Sequence, residues 1–321
     1  MLAVVGWTAA CVLALLFALA LLARRFQRRP PAKVKVDDDG PATPDRCANA
    51  DCVRCKNYNK FTPDVISGAL ESAKRRLDLT SLPRLDAALD RSRAQQHLAP
   101  LQEPTVFFVP GLTARPLWID NRAFASAASS SDDALSAAMD PLLADIALVR
   151  EEIEDFVFDC AAKGDMSGWR ANDCAAGSWD VFPLVSQGAL FAENARRLPR
   201  TWSAVTSISG YACGRSCFGN VFVSVLGPAS RIAPHCGPTN VRLRAHVPIR
   251  VPHDAACSLT AGADDLVRAE TNHWLCFDDS FLHSARNDSP AEDRIVLIVD
   301  LWHVDLTADE REALREMFPA V

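Results

Sequence analysis

The chain has 321 residues and a mass of 34.9 kDa, enough for one large domain or two ordinary ones. With 49% hydrophobic and 23% charged residues it is neither disordered nor fibrous. The net charge of −6 hides an asymmetry: residues 1–36 carry six Lys or Arg and no acid, leaving 28 positive against 40 negative charges, which excludes a nucleic-acid-binding body.

Leu2 to Ala23 is an uncharged run of 22 residues rich in Leu, Ala and Val. At about 1.5 Å per residue it spans about 33 Å, enough to cross a hydrocarbon core of about 30 Å. It lacks the basic n-region and short apolar core of a cleaved signal peptide. Residues 1–24 are therefore expected to form a single transmembrane anchor, with a signal sequence as the alternative. Arg24, Arg25, Arg28 and Arg29 follow it, and the positive-inside rule places that flank in the cytosol. Residues 25–61 are a Pro-rich, charged linker around Cys47, Cys52 and Cys55. No fourth Cys or His lies near this cluster, the next candidate being His97, so zinc, a disulfide and plain thiols all stay open. The sequon Asn287-Asp288-Ser289 is followed by Pro290 and is a poor compartment marker.

Residues 62–104 form a helical segment. Thr62-Pro63-Asp64 supplies an N-cap and a first-turn proline, predicting a helix to about Leu77, and a second helix is expected from Leu85 to His97. Val106–Val109 looks like a buried strand or a docking segment. Residues 124–133, rich in Ala, Ser and Asp, are expected to be a loop. Asp140-Pro141 then opens a helix whose apolar face is Leu142, Ile146, Val149, Ile153 and Phe156. Beyond about residue 175, strand-like runs dominate: Trp179–Leu184, Asn220–Leu226, Asn240–Val251, Trp274–Phe277 and Arg294–Trp302. Short strands separated by Gly, Pro, Asp and Asn turns predict a mainly β body, a sandwich or jelly roll with flanking helices, over residues 105–321.

Six of the seven histidines lie between residues 235 and 303. His253 and His273 are taken as ordinary surface or core residues, and His303 as structural. In Asn240–Val251, Val241, Leu243, Ala245, Val247, Ile249 and Val251 fall on one face. Arg242, Arg244, His246, Pro248 and Arg250 fall on the other, which holds only cations. That face suits an anionic ligand inside a barrel, or else a solvated arginine stripe. His235, in a Pro-rich turn, and His283, closing Phe277-Asp278-Asp279-Ser280-Phe281-Leu282-His283, come from separate β segments, as in many ferrous sites. The carboxylate usual two residues after the first His is replaced by Gly237. Asp278 and Asp279 either orient an imidazole N–H or are turn residues.

The run His235-Cys-Gly-Pro-Thr-Asn-Val-Arg-Leu-Arg-Ala-His246, followed by Phe277–His283 and by Val299-Asp-Leu-Trp-His303, resembles the aspartyl/asparaginyl β-hydroxylase family over about residues 145–315. The upstream Cys cluster and Val-Phe-Phe-Val-Pro segment are similar to its small membrane-anchored branch. The resemblance implies a double-stranded β-helix oxygenase that uses Fe(II), with 2-oxoglutarate and O2 as co-substrates. In that family two histidines suffice for the metal, and His235 and His283 match those positions. Arg294 would then ion-pair the distal carboxylate of 2-oxoglutarate, with a surface strand-start arginine as the bland alternative. Ser224, Arg244 and His246 would lie near the co-substrate or substrate carboxyl, and Trp179 beside the co-substrate. The implied substrate is Asp or Asn in a protein or peptide, with epidermal-growth-factor-like domains as the family's example. A catalytically silent, membrane-tethered binding module is the alternative from another class. The family implies a lumenal catalytic domain on an endoplasmic-reticulum or secretory membrane, against the charge pattern; the lumenal orientation is the expectation.

Overall fold

The computed structural model describes residues 58–119, 130–208, 215–252, 256–262, 265–267 and 273–321. The expected anchor, the Cys47/Cys52/Cys55 cluster and His253 lie outside the described residues. Among the described residues no helix is long and apolar enough to cross a membrane.

A 3₁₀ turn at Tyr58–Lys60 leads into α1 (Pro63–Arg76), α2 (Pro83–Leu89) and α3 (Arg91–Gln95). Strand β1 (Leu117–Ile119) precedes two longer helices, α4 (Ser130–Ala144) and α5 (Ile146–Lys163). Then come β2 (Arg170–Asn172), β3 (Trp179–Ser186), β4 (Ala189–Leu190), α6 (Ala192–Arg197) and α7 (Pro199–Thr206). The remainder holds β5 (Val221–Leu226), β6 (Ser230–His235), β7 (Arg242–Arg250), β8 (Cys257–Ala261) and β9 (Asp265–Val267). It ends with β10 (Leu275–Phe277), β11 (His283–Asn287), β12 (Arg294–Trp302) and α8 (Ala308–Met317).

The strands build two antiparallel sheets. The larger runs β1-β10-β7-β12-β5-β3-β2, with β4 on β3; the smaller runs β6-β11-β8-β9. Period-two patterning fixes which face each residue takes. Leu243, Ala245, Val247 and Ile249 of β7 join Leu297 and Val299 of β12 on the outer face, where Val149, Ile153 and Val157 of α5 cover them. The even-numbered residues of β7 take the opposite face, where His246 meets the ring of Phe277. A separate cluster of Leu259, Ala261, Leu275, Phe277 and Ala285 joins the two sheets. Pro248 interrupts β7 because it has no N–H to donate, and the register against β12 slips there, from Ile295↔Arg250 to Val296↔Pro248. The Pro248 carbonyl accepts a 3.0 Å hydrogen bond from Arg150 Nε of α5.

The helix expectations around residues 124–156 need correction, and of the two readings of Val106–Val109 one holds. The Asp140-Pro141 pair does not open a helix: Pro141 lies inside α4, whose chain turns one residue later than Ala144 into α5. The apolar face attributed to one helix is shared by two, since Leu142 is on α4 and Val149 on α5, both fully buried. The Ala/Ser/Asp stretch is helical from Ser130, its earlier residues lying outside the described set. Val106–Val109 makes one bridge, from Phe107 to Thr239, and takes the docking reading rather than the strand one.

That segment belongs to a second core. Leu70 and Ala73 of α1, Leu85 of α2, Phe107, Val109, Phe218, Trp302, and Leu314 and Met317 of α8 pack together with Phe318. The Phe318 ring centroid lies 5.0 Å from that of Phe61, edge-on, and 4.8 and 4.6 Å from those of Phe107 and Phe218, both tilted. A capping box starts α8: Glu310 N–H donates to Thr307 Oγ1 at 3.2 Å, and Thr307 N–H to Glu310 Oε2 at 2.9 Å. Glu310 also pairs with Arg84 of α2. Among the described residues six cysteines are present and none forms a disulfide.

Candidate active site

His235 ends β6 and His283 begins β11, and the two residues face each other across that antiparallel pair. Their ring centroids are 4.1 Å apart with the planes inclined by 52°. Each Nδ1 lies 2.8 Å from a backbone carbonyl two residues earlier, Ala233 for His235 and Phe281 for His283. A carbonyl only accepts, so Nδ1 carries a proton on both rings and Nε2 is the atom left to bind a metal. This is the arrangement that orients a ligand imidazole. On both rings it is a backbone carbonyl that holds Nδ1.

Gly237 stands where a third ligand would be expected, and its surroundings exclude a side chain. A Cβ there would lie 2.5 Å from Asp279 Cγ and 2.6 Å from both carboxylate oxygens. Asp279 cannot yield easily. Its oxygens accept from Arg242 Nη2 at 2.5 Å and Nε at 3.2 Å, with Arg244 Nη1 3.2 Å away, and its own carbonyl accepts from Gly237 N–H at 2.5 Å. Burial opposes ionisation of Asp279, but Arg242 and Arg244 hold its carboxyl well below the usual range. Among the described residues no three His, Cys, Asp or Glu side chains cluster as a metal site. The donor set is two imidazoles, and it fits a metal that takes its remaining ligands from small molecules.

The inner face of the larger sheet carries the other candidates. Leu226 of β5 is opposite both Trp179 and Arg294; one step along, Ser224 is opposite Val181 and Val296, while His246 is opposite Ile298. Trp179 Nε1 donates to Ser224 Oγ at 3.0 Å. His246, Phe277 and His283 form a line of edge-on rings, with centroid separations of 5.1 and 5.3 Å, joining this face to the histidine pair. Burial, reinforced by Arg294, Arg244 and His283, pushes the His246 pKa well down, so its imidazole is neutral.

The all-cation face of β7 proves to be neutralised from elsewhere in the chain. Arg244 donates to Asp300 Oδ1 at 2.8 Å and Oδ2 at 3.0 Å; Arg242 lies 3.1 Å from Asp300 and donates to the Phe218 carbonyl at 2.5 Å. Arg250 pairs at the rim with Glu292. Arg244 therefore reaches the site as part of a buried two-Arg, two-Asp network and not as a bare cation. Arg294 differs. Its side chain is 1% exposed, its Nε has no hydrogen-bond partner, and its Nη2 meets only the Nδ1 of His246, at 3.5 Å. No carboxylate pairs with it among the described residues. Burial accordingly lowers its pKa. Such a guanidinium is prepared for an anion that arrives from outside.

His303, taken as structural from the sequence, is fully buried; its Nε2 lies 3.1 Å from the Thr113 carbonyl, and its Nδ1 accepts from Asp305 N–H at 3.2 Å. Sequence reasoning missed Asp300 and Phe277. The signal for Asp300 was available, a lone acid inside the apolar run Ile295-Val-Leu-Ile-Val-Asp300-Leu-Trp302.

A family model described as Aspartyl/Asparaginyl beta-hydroxylase matches residues 144–304. Mouse aspartate beta-hydroxylase domain-containing protein 2 is 32% identical over 320 residues, covering 97% of this chain and 88% of that protein. The Xenopus tropicalis protein of the same name is 33% identical over 275 residues, covering 85% and 70%. The chain belongs to the aspartyl/asparaginyl β-hydroxylase family. Mouse aspartyl/asparaginyl beta-hydroxylase is 29% identical over 219 residues, 68% of this chain but 27% of that protein. Among solved structures, a Pseudomonas putida prolyl-4-hydroxylase covers 48% of the chain and 87% of its own at 8% identity and a TM-score of 0.31, too low to carry an argument. The region matching this hydroxylase family holds both histidines, Gly237 and Arg294, and excludes α1–α3 and α8.

Proposed function

We propose that this protein is an Fe(II)- and 2-oxoglutarate-dependent dioxygenase with a double-stranded β-helix core, hydroxylating Asp or Asn at Cβ in a protein or peptide. The observation that carries the reading is one arrangement among the described residues: paired imidazoles whose Nδ1 atoms are held by backbone carbonyls, no third side chain clustered as a metal ligand, and a buried arginine with no acid partner. His235 and His283 would hold the iron, leaving its other positions to 2-oxoglutarate, water and O2. Arg294 would take the far carboxylate of 2-oxoglutarate, with Trp179, Ser224 and His246 lining the same face. Bound iron with these co-substrates supplies the oxidant for an unactivated C–H bond, and the overall balance is substrate, O2 and 2-oxoglutarate to hydroxylated substrate, succinate and CO2. The protein's own part is orientation and exclusion of water. Arg244 belongs with the residues that shape the substrate end, through Asp300. Epidermal-growth-factor-like domains in a secretory lumen are the proposed partners, reached from a single membrane anchor.

The test is anaerobic iron titration of the full chain, followed by O2-dependent succinate release from 2-oxoglutarate. Iron binding and slow succinate formation, both abolished by His235→Ala and by His283→Ala, is the expected result. Full activity in either variant would overturn the site. Iron bound without any turnover, even with candidate peptides, would leave a tethered binding module instead.

A further inference from the structure

The segment Leu101–Val109 lies upstream of the region that matches the family model, yet it is hydrogen-bonded to both histidine-bearing loops at once. On the His283 side, Leu282 N–H donates to the Leu101 carbonyl at 2.7 Å, and Glu103 N–H to the Ser280 carbonyl at 2.9 Å. Gln102 is 1% exposed and forms a bridge with Phe281. Its Nε2 donates to Ser280 Oγ at 3.0 Å and Asp278 Oδ2 at 3.3 Å, and its Oε1 accepts from Ala99 N–H at 3.3 Å. On the His235 side, Thr105 N–H donates to the Gly237 carbonyl at 3.1 Å; Val106 and Phe107 N–H donate to Pro238 O at 2.9 and 3.0 Å. Asn240 then closes a reciprocal pair with the Val109 backbone, both bonds 2.9 Å.

Leu101 also has a φ of +62°, a left-handed conformation that a bulky residue adopts only when its surroundings impose it. That strain sits beside Gln102, whose amide N–H groups go to the His283 loop, and the segment Leu101–Val109 acts as a strap across the two loops. Directly between the two loops the structure shows the Gly237 N–H to Asp279 carbonyl bond and the strand pairing that begins at the histidines themselves. The strap is thus a second, independent brace on their separation.

Building on the iron-site reading above, we propose that Gln102 is a positioning residue: through Ser280 and Asp278 it locks the strap to the His283 loop, and the strap fixes that loop relative to His235. The spacing of the two imidazoles then depends on a residue far from them in sequence. A metal held by only two protein ligands is the case in which such spacing matters most.

The test uses the full chain with Co(II) as the probe. Gln102→Leu removes the donors while filling the space, and Ser280→Ala removes the acceptor with little risk to folding. Expected results are a Co(II) Kd raised about tenfold or more in Gln102→Leu and about threefold in Ser280→Ala, with an altered Co(II) visible spectrum in both. Amide hydrogen exchange in the metal-free proteins should quicken at Thr105–Phe107 and Leu282 and stay unchanged in β5 and β12. Unchanged Co(II) affinity and spectrum in folded variants would overturn the positioning role, even if exchange quickens. If the wild type binds no Co(II), or binds it equally after His235→Ala, the iron-site reading fails, and with it the positioning role. Exchange at Leu282 and Thr105–Phe107 then separates the two parts: quickening keeps the mechanical brace, and wild-type rates remove it too.

Discussion

Replacing Arg294 with Met is expected to make the ligand-free protein more stable while weakening its hold on 2-oxoglutarate. Arg294 is 1% exposed, has no acid partner among the described residues, and its Nε has no hydrogen-bond partner. A buried polar group left without a partner costs about 1–3 kcal/mol, more when charged, and Met occupies much of the same volume without that cost. A gain of about 1–3 kcal/mol corresponds to a rise in Tm of roughly 2–10 °C for a body of this size. The opposite sign applies with co-substrate. Two charge-assisted hydrogen bonds to a carboxylate, at about 1.5–3 kcal/mol each, amount to roughly a hundredfold or more in Kd. Thermal melts with Ni(II) in place of iron, with and without 2-oxoglutarate, measure both. Wild type should gain Tm with 2-oxoglutarate and the variant should not. A variant that melts lower without ligand, or that still gains as much as wild type with it, would refute the claim that Arg294 awaits an external anion.

Gly237→Ala should lower stability by about 1–3 kcal/mol, because the new methyl overlaps a carboxylate pinned by two arginines; an unchanged urea midpoint would show that Asp279 can move. Burial raises the Asp278 pKa from 3.8 to about 7. From about pH 4 to about pH 7 the folded state therefore binds more protons than the unfolded chain, so this carboxyl lowers stability as pH rises across that window. Asp278→Asn should have its largest stabilising effect above about pH 7 and little effect near pH 4, which urea midpoints at pH 5 and pH 8 can test. A fragment starting at residue 113 should lose its cooperative melt by circular dichroism, since it exposes the faces of α8 and Phe218 that Leu70, Leu85 and Phe107 cover; a sharp transition near that of the full chain would contradict this.

The site was legible in the sequence wherever one local motif carried it. His235, His283 and the strand Arg294–Trp302 could be named because each sits in a compact, specific run. Alternation in Asn240–Val251 gave both faces of β7 correctly. What alternation could not show is what lies opposite a face: Asp279 and Asp300 come from a turn and from another strand, and they change Arg244 from a ligand-seeking cation to a paired one. Strands β6 and β11 were missed because Ser230–His235 and His283–Asn287 are polar and short, and their identity as strands is imposed by pairing rather than by pattern. Gln102 gave no signal at all. Its role depends on contacts to residues 278 and 280, across 176 or more positions of chain.

Strand β12 is buried at all nine of its positions and lies between β5 and β7 in the middle of the larger sheet. Helix α8, which packs on α1, comes after it in the chain. During synthesis, then, both the central rung of the sheet and the partner of α1 leave the ribosome after the elements they cover. Until residues 294–321 emerge, β5 and β7 each present an unpaired edge and an apolar face, and α1 lacks its cover. A chain interrupted anywhere before Arg294 loses the middle of its sheet rather than its margin. Such a product should be an aggregation-prone client of chaperones, not a shorter protein.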